Sequence, residues 1–280
     1  MVATDLVHIL SRYTPLPRAY GFDVFYNEVN EVVKPFKLLI RPPANNILSK
    51  IYRHLRFYRM LSNYITDFEP DIIHFHSLEF IPLLFPFKKK IVEFHGTRLR
   101  RKWADGSINK NVRTPQWIFH FYKLLGIKCL YSTPDLIEDI PNYINAEYLP
   151  NPVDFEHFRK IEVKNKGYAI YSINHYEDAY KRLNELKDKY EFMFIEMLDR
   201  EKGEFIKYED MPNILKNFEF YIDRNNIESL SKTALECLAM GLKVIDWKND
   251  LIEELSPEHD PFNVARKTLD IYDKVYRGKW

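Results

Sequence analysis

The chain alternates between two hydrophobic rhythms. Compact apolar runs read as strands: "LVHIL" near the amino end, "FKLLI" stopped by Pro42 and Pro43, then "DIIHFH", "KIVEFHG" and "IKCLYST". Between them, apolar positions recur every three or four residues. Leu48, Ile51, Leu55, Tyr58, Leu61, Ile65 and Phe68 fall on one stripe, which is helical spacing. "GFDVFYNEVNEV" reads as an earlier helix starting near Gly21. Nearly continuous apolar strands separated by helices predict a parallel sheet covered on both faces.

After "AEYLPNPVDFEHF" the rhythm starts again. "YAIYSI", "EFMFIEML", "NFEFYID" and "LKVIDW" read as strands, with "DAYKRLNELKDKY" and "SKTALECLAM" as helices between them. Pro150 and Pro152 mark the boundary, since neither continues a helix or a central strand. The last segment, "PFNVARKTLDIYDKVYRGKW", reads as a helix with Val264, Leu269, Ile271 and Val275 among its apolar positions. The expected architecture is α/β, with two Rossmann-like doubly wound parallel-sheet domains. Residues 1–152 form the first and 153–263 the second, and 264–280 form a closing helix.

Composition narrows the class. The chain has 280 residues, 46% hydrophobic, with a formal charge of +1, which suits an ordinary globular protein. No apolar run approaches the roughly 20 residues that span a bilayer, and the opening segment is wrongly flanked for a signal peptide. Cys129 and Cys237 stand far apart, so neither a disulfide framework nor a cysteine zinc site is expected, and cytoplasm is the expected compartment. Charge is uneven. Through Pro152 there are 20 Lys and Arg against 14 Asp and Glu, and the remainder holds 21 against 26. The halves, at +6 and −5, point to different partners.

The most informative stretch is "NNIESLSKTALECLAMGLKVI", residues 225–245. Ser231 is a candidate N-cap and Gly241 a candidate left-handed C-cap. In an α/β unit ligands bind beyond the carboxyl ends of the strands, where the loop holding Glu228 falls. The helix start offers unpaired N–H groups and partial positive charge, a seat for phosphate. Carboxylates repel phosphate but accept readily from hydroxyls. Glu228 and Glu236 on either side of such a seat suit a diphosphate lying between two hydroxyl-bearing rings, as in a nucleotide-sugar. The plain alternative is that Glu236 faces solvent, although Ala234, Leu235, Cys237, Leu238, Ala239 and Met240 around it argue for burial.

Here the sequence resembles the retaining nucleotide-sugar glycosyltransferases of the GT-B fold (glycosyltransferase group 1, family 4-like). Glu228 and Glu236 have that family's glutamate spacing, and "LECLAMGLKVI" follows its small-residue run. "EPDIIHFHS", "VEFHG" and "YLPNPVDFEHF" resemble three further landmarks in the family's order. The resemblance implies an interdomain cleft and a closing helix that returns to the first domain. It implies Glu228 and His95 at the transferred sugar, Glu236 at the ribose, and transfer with retained configuration. It implies no metal and no cofactor beyond the donor. The chain departs from the family where the diphosphate is gripped. "SLSKTAL" lacks the glycine between the glutamates, and Asn174 and His175 stand where an Arg is expected. Ser231, Lys232, Thr233, Lys181 and Arg182 are the remaining candidates at the diphosphate. A hexosyltransferase acting on a glycan or lipid-linked acceptor is the leading expectation. A non-catalytic relative that keeps the fold and a sugar-nucleotide epimerase are the alternatives.

Two other constellations stand out. His74 and His76 share one face of a strand, and His95 ends what should be its neighbour. Three imidazoles can hold zinc or simply pack, and packing is favoured where no carboxylate lies at ligand spacing. The first half also carries Arg53, Phe57, Met60 and Tyr64 on one helix flank, with Lys88 to Lys90 and Arg98 to Trp103 adding positive charge. That face suits either an anionic membrane surface or plain solvent. Near-neutral overall charge argues against nucleic acid.

Overall fold

The structure is a computed structural model that describes residues 59, 62–63, 65–67, 69–76, 80–96, 98–162, 165–173, 176–199, 208–223 and 227–279. The expected "LVHIL" and "FKLLI" strands and the 21–32 helix lie outside these residues, as do Arg53, Phe57, Met60 and Tyr64. Of the helix expected at 48–68, the described residues 59, 62–63 and 65–67 are helical.

Two separate sheets form, and both are Rossmann-like. In the first, β1 (Ile72–His76), β2 (Lys89–Phe94), β3 (Lys128–Tyr131) and β4 (Ala146–Tyr148) lie in chain order and pair in parallel. The period of two sorts each strand's residues onto opposite faces. Ile73, Phe75, Val92, Phe94 and Cys129 join the core on one side, where helix α1 (Ile118–Leu124) contributes Ile118, Phe119 and Tyr122. Ile72, Ile91 and Leu130 face the other way, onto Val264, Leu269, Ile271 and Val275 of the last helix. Both faces are therefore covered, which is why these strands read as unbroken apolar runs.

The second sheet has the order β6-β5-β7-β8-β9. Its strands are β5 (Tyr168–Ile173), β6 (Phe194–Asp199), β7 (Phe220–Ile222), β8 (Lys243–Ile245) and β9 (Leu251–Ile252). All pairs are parallel except β8 with β9, a short antiparallel edge that the sequence pattern did not predict. Helix α2 (Tyr176–Lys189) sends Leu183 and Leu186 onto Ala169, Tyr171, Ile222 and Ile245. Helices α3 (Met211–Leu215) and α4 (Lys232–Met240) cover the opposite face around Ile170, Tyr221 and Val244.

The last helix, α5, spans Pro261–Tyr276 and starts at the first residue of the segment read as helical. Asp260 fixes that start: its carboxylate accepts from the N–H groups of Phe262 and Asn263, while Pro261 occupies the first turn, where no donor is needed. Although it follows the second sheet in sequence, α5 packs against β1 and β2 of the first.

Candidate functional site

Helix α4 forms as its sequence requires. Ser231 is extended, and its Oγ accepts from the N–H of Ala234 at 3.1 Å. Gly241 closes the helix at φ +89°, a conformation that favours glycine over any residue with a Cβ, and its N–H returns to the Leu238 carbonyl. The helix is buried on most sides, and Glu236 is 2% exposed. Lys232 lies one turn earlier on the same face. Burial pulls the Lys232 ammonium below its usual range, and the Glu236 carboxylate pulls it back up. Thr233 is half-buried.

Asp223, at the end of β7, is a site residue the sequence reading missed. It is buried, and its carboxylate accepts from the N–H of Ser231 at 2.7 Å. A carboxylate held there offsets the positive end of the helix. The clue in the sequence was an acid directly after the strand run "FEFYI", where a strand end meets a loop. The predicted phosphate seat is thus flanked by carboxylates on three positions, Asp223, Glu228 and Glu236.

Glu228 lies in the loop before α4 and is exposed. That loop reaches the first sheet. Ser229 Oγ donates to Asp135 Oδ1 at 3.2 Å, and Asp135 sits in the short 3-10 helix Pro134–Asp139 after β3. Asp135 also accepts from the buried Arg100 guanidinium, at 2.7 Å from Nε. Arg100 in turn lies beside Gly96, so a Cβ at Gly96 would stand 3.2 Å from Arg100 Nη1. Gly96 follows His95. A chain of contacts therefore runs from the carboxyl ends of β2 and β3 to the loop of Glu228.

Arg182, expected at a diphosphate, is engaged elsewhere. Its Nη2 donates to the Asp246 carbonyl and its Nε to Asn249 Oδ1 at 3.3 Å, which ties α2 to the β8–β9 turn. Burial lowers its pKa, and Asp223 is among the groups opposing that shift. Lys181 belongs to α2. Asn174 and His175 lie outside the described residues.

The histidines form a second constellation on the α5 face of the first sheet. The register sets His76 opposite Glu93 and His74 opposite Ile91. His74 Nε2 is 3.2 Å and His76 Nδ1 3.4 Å from Glu93 Oε2, and His95 Nδ1 is 3.6 Å from Glu93 Oε1. His76 Nδ1 and His95 Nε2 share a proton at 2.9 Å, with the rings nearly parallel. Tyr272 of α5 bonds His74 Nδ1 at 2.9 Å. Desolvation dominates here. It pushes His74 down to about 3, and His76 and His95 down to about 4, despite the pull of Glu93 on the latter two. The contacts with Glu93 are thus close approaches of neutral imidazoles rather than ion pairs. The histidines do stack and hydrogen-bond, as in the reading favoured above, but a carboxylate, Glu93, lies among them, which that reading did not foresee. Only the parallel register brings Glu93 to the histidines.

The positive face of the first half also needs correction. Lys90 is fully buried on β2, its ammonium donating to the Phe85 carbonyl at 2.6 Å, and Arg100 is buried against Asp135. Neither adds surface charge. Lys89, Arg98, Arg101 and Lys102 remain exposed.

A cavity of about 430 Å³ opens beside Phe158, Leu238, Leu255 and Asn263, and none of the candidate site residues lines it. Buried ionisable groups, Asp223 and Glu236, meet instead at the helix start and the end of β7.

No protein-family model and no curated protein sequence matches the chain. Among solved structures, the chain is similar to a sucrose-phosphate synthase from Thermosynechococcus elongatus, with 11% identity and a TM-score of 0.49, over 85% of this chain and 75% of that one. It is also similar to TarM, with 13% identity and a TM-score of 0.48, over 76% of this chain and 51% of that one, about half the TarM length.

Proposed function

We propose that the protein is a GT-B-type glycosyltransferase that moves a sugar from a nucleotide-sugar donor to a glycan or lipid-linked acceptor with retention of configuration. One observation carries the reading. Glu236, a carboxylate, is buried in the helix whose capped start faces the strand ends, and the loop of Glu228 before it bonds across to the first sheet. Lys232 offsets part of the cost of burying that charge, and an ionised carboxylate has acceptor sites enough to take ribose hydroxyls as well.

In this reading Glu236 accepts from the ribose hydroxyls and Glu228 from the transferred sugar, with His95 approaching from the first domain. Ser231, Lys232 and Thr233 meet the diphosphate, Lys181 of α2 is the further candidate there, and Arg182 takes no part, being tied to the β8–β9 turn. The acceptor hydroxyl attacks on the face that the diphosphate leaves, so no protein nucleophile is needed. The anomeric carbon–diphosphate bond breaks, the acceptor oxygen bonds that carbon, and the acceptor proton passes to a diphosphate oxygen. Catalysis rests on stabilising the departing charge, to which Lys232 contributes directly. No metal takes part in this step.

Approach to a lipid-linked acceptor is supported by one surface. Phe80, Trp117 and Phe121 form an exposed aromatic row, with centroids about 6 Å apart, and Phe87 is 99% exposed beside Lys89. We read this as a peripheral contact with the cytoplasmic face of an anionic membrane. No helix among the described residues is long and apolar enough to cross one.

A second reading, a non-catalytic sugar-nucleotide binder, is favoured by Arg182 being tied to the β8–β9 turn. One experiment covers both. A thermal-shift screen with UDP, GDP, ADP and their sugars should find one nucleotide that stabilises the fold, by about 2.7 kcal/mol at a hundredfold excess over its dissociation constant. Release of free sugar from that donor marks a transferase, an epimerised donor marks an epimerase, and an intact donor marks the binder. If no nucleotide shifts the melting curve, the donor assignment fails.

A further inference from the structure

We propose that His74, His76 and Glu93 form a binding site for one divalent first-row transition ion, with zinc the fitting representative, on the α5 face of the first sheet. It is independent of the donor assignment and lies apart from the α4 start.

The geometry carries the proposal. His74, His76 and Glu93 each offer one ligand atom, and the three atoms lie within 4.8 Å of one another. A tetrahedral zinc with bonds of about 2.0–2.1 Å holds neighbouring ligand atoms about 3.3 Å apart. Two of the separations here, 3.2 Å and 3.4 Å, both measured to Glu93 Oε2, are of that size. Two imidazoles and one carboxylate are a donor set that suits such ions and leaves positions open for water or substrate.

Hydrogen bonding points the same way. His74 Nε2, Glu93 Oε2 and His95 Nδ1 are buried atoms that find no hydrogen bond among the described residues, although His74 Nε2 and Glu93 Oε2 are only 3.2 Å apart. Buried polar atoms of this kind are rare and costly, and an ion is one of the few things that satisfies several at once. An N–H···O bond would join this pair if the ring were turned to allow it. Tyr272 fixes the ring instead, by bonding the other nitrogen, Nδ1. That is the outer-shell contact that orients a ligating histidine.

The ordering of the chain supports the site as built rather than accidental. Each ligand comes from a strand of a sheet buried on both faces, and α5 closes over them with Tyr272. His95 Nε2, 2.9 Å from His76 Nδ1, flanks the triad just past the carboxyl end of β2. An ion on His76 Nδ1 would replace that hydrogen bond and release His95, the residue that the donor reading sets against the sugar.

The test uses the full chain, freed of metal with a chelator and then titrated with Co²⁺ and Zn²⁺ separately. The expected result is one equivalent of Co²⁺ with visible d–d bands, displaced by Zn²⁺, and a melting temperature that rises with zinc. His76→Ala and Glu93→Gln should each weaken binding by about tenfold or more, while His120→Ala, at an exposed position of α1, leaves it unchanged. Absence of the bands in the wild type overturns the site, and that measurement needs no variant to fold. Equal binding by the wild type and a His74→Ala/His76→Ala double variant overturns it as well.

Discussion

The start of α4 and the imidazole cluster on the first sheet are assembled in opposite ways. Every residue of the first, from Glu228 to Glu236, comes from nine consecutive positions, and only Asp223 is brought from an adjoining strand end. The second joins two parallel strands and a helix that is 198 residues from His74 at its contact point. The local site is organised by helix periodicity and caps. The distant one depends on strand register, where a shift of one residue would turn His76 and Glu93 to opposite faces. Damage to packing should therefore reach the cluster first and the helix start last.

The largest expected effect breaks that comparison directly. Leu269 is fully buried between α5 and the first sheet, so Leu269→Ala should cost about 2–5 kcal/mol in chemical denaturation. Nucleotide binding should survive at temperatures where the variant is still folded. If it disappears together with the cluster, the two regions are one unit. Next in size, Glu236→Gln should weaken nucleotide-sugar binding by about 1.5–3 kcal/mol, the worth of hydrogen bonds to a charged group, as read by calorimetry. Unchanged affinity would return Glu236 to a purely structural role. Ser231→Ala removes the N-cap and should cost about 1 kcal/mol of stability, with no change in metal titration. The smallest effect is Ser229→Ala, which deletes the bond to Asp135 and should cost about 0.5–1.5 kcal/mol. Its signature is a loss of donor turnover larger than the loss of stability, because that bond joins the two halves. A chemical control sharpens all four. Burial raises Cys129 to about 12 and also raises Cys237, so a thiol reagent should label neither in the native state at mildly alkaline pH and both after unfolding.

Much of this was legible in the sequence, and the reason differs from element to element. "YAIYSI" is β5 to the residue, because a strand buried on both faces leaves an uninterrupted apolar run. Ser231 and Gly241 bound α4 as predicted, because capping chemistry is local. Burial of Glu236 could be anticipated from the apolar residues on both sides of it. Glu93 could not be assigned, since nothing in "KIVEFHG" states which strand lies alongside, or in what register. Lys90 and Arg100 misled for a related reason: a run of basic residues looks like surface until a carbonyl or an aspartate elsewhere in the chain takes one of them. The β8–β9 edge was invisible because two residues carry no period.

The return of α5 to the first sheet has a practical side. Ile91 and Leu130 rely on a segment made after the second sheet, so the amino-terminal half leaves the ribosome without the helix that covers those residues. It must wait for the second half to be completed before they are covered. A fragment ending near Pro152 would inherit this defect permanently, and anyone dissecting the protein would need to graft residues 261–276 back onto it.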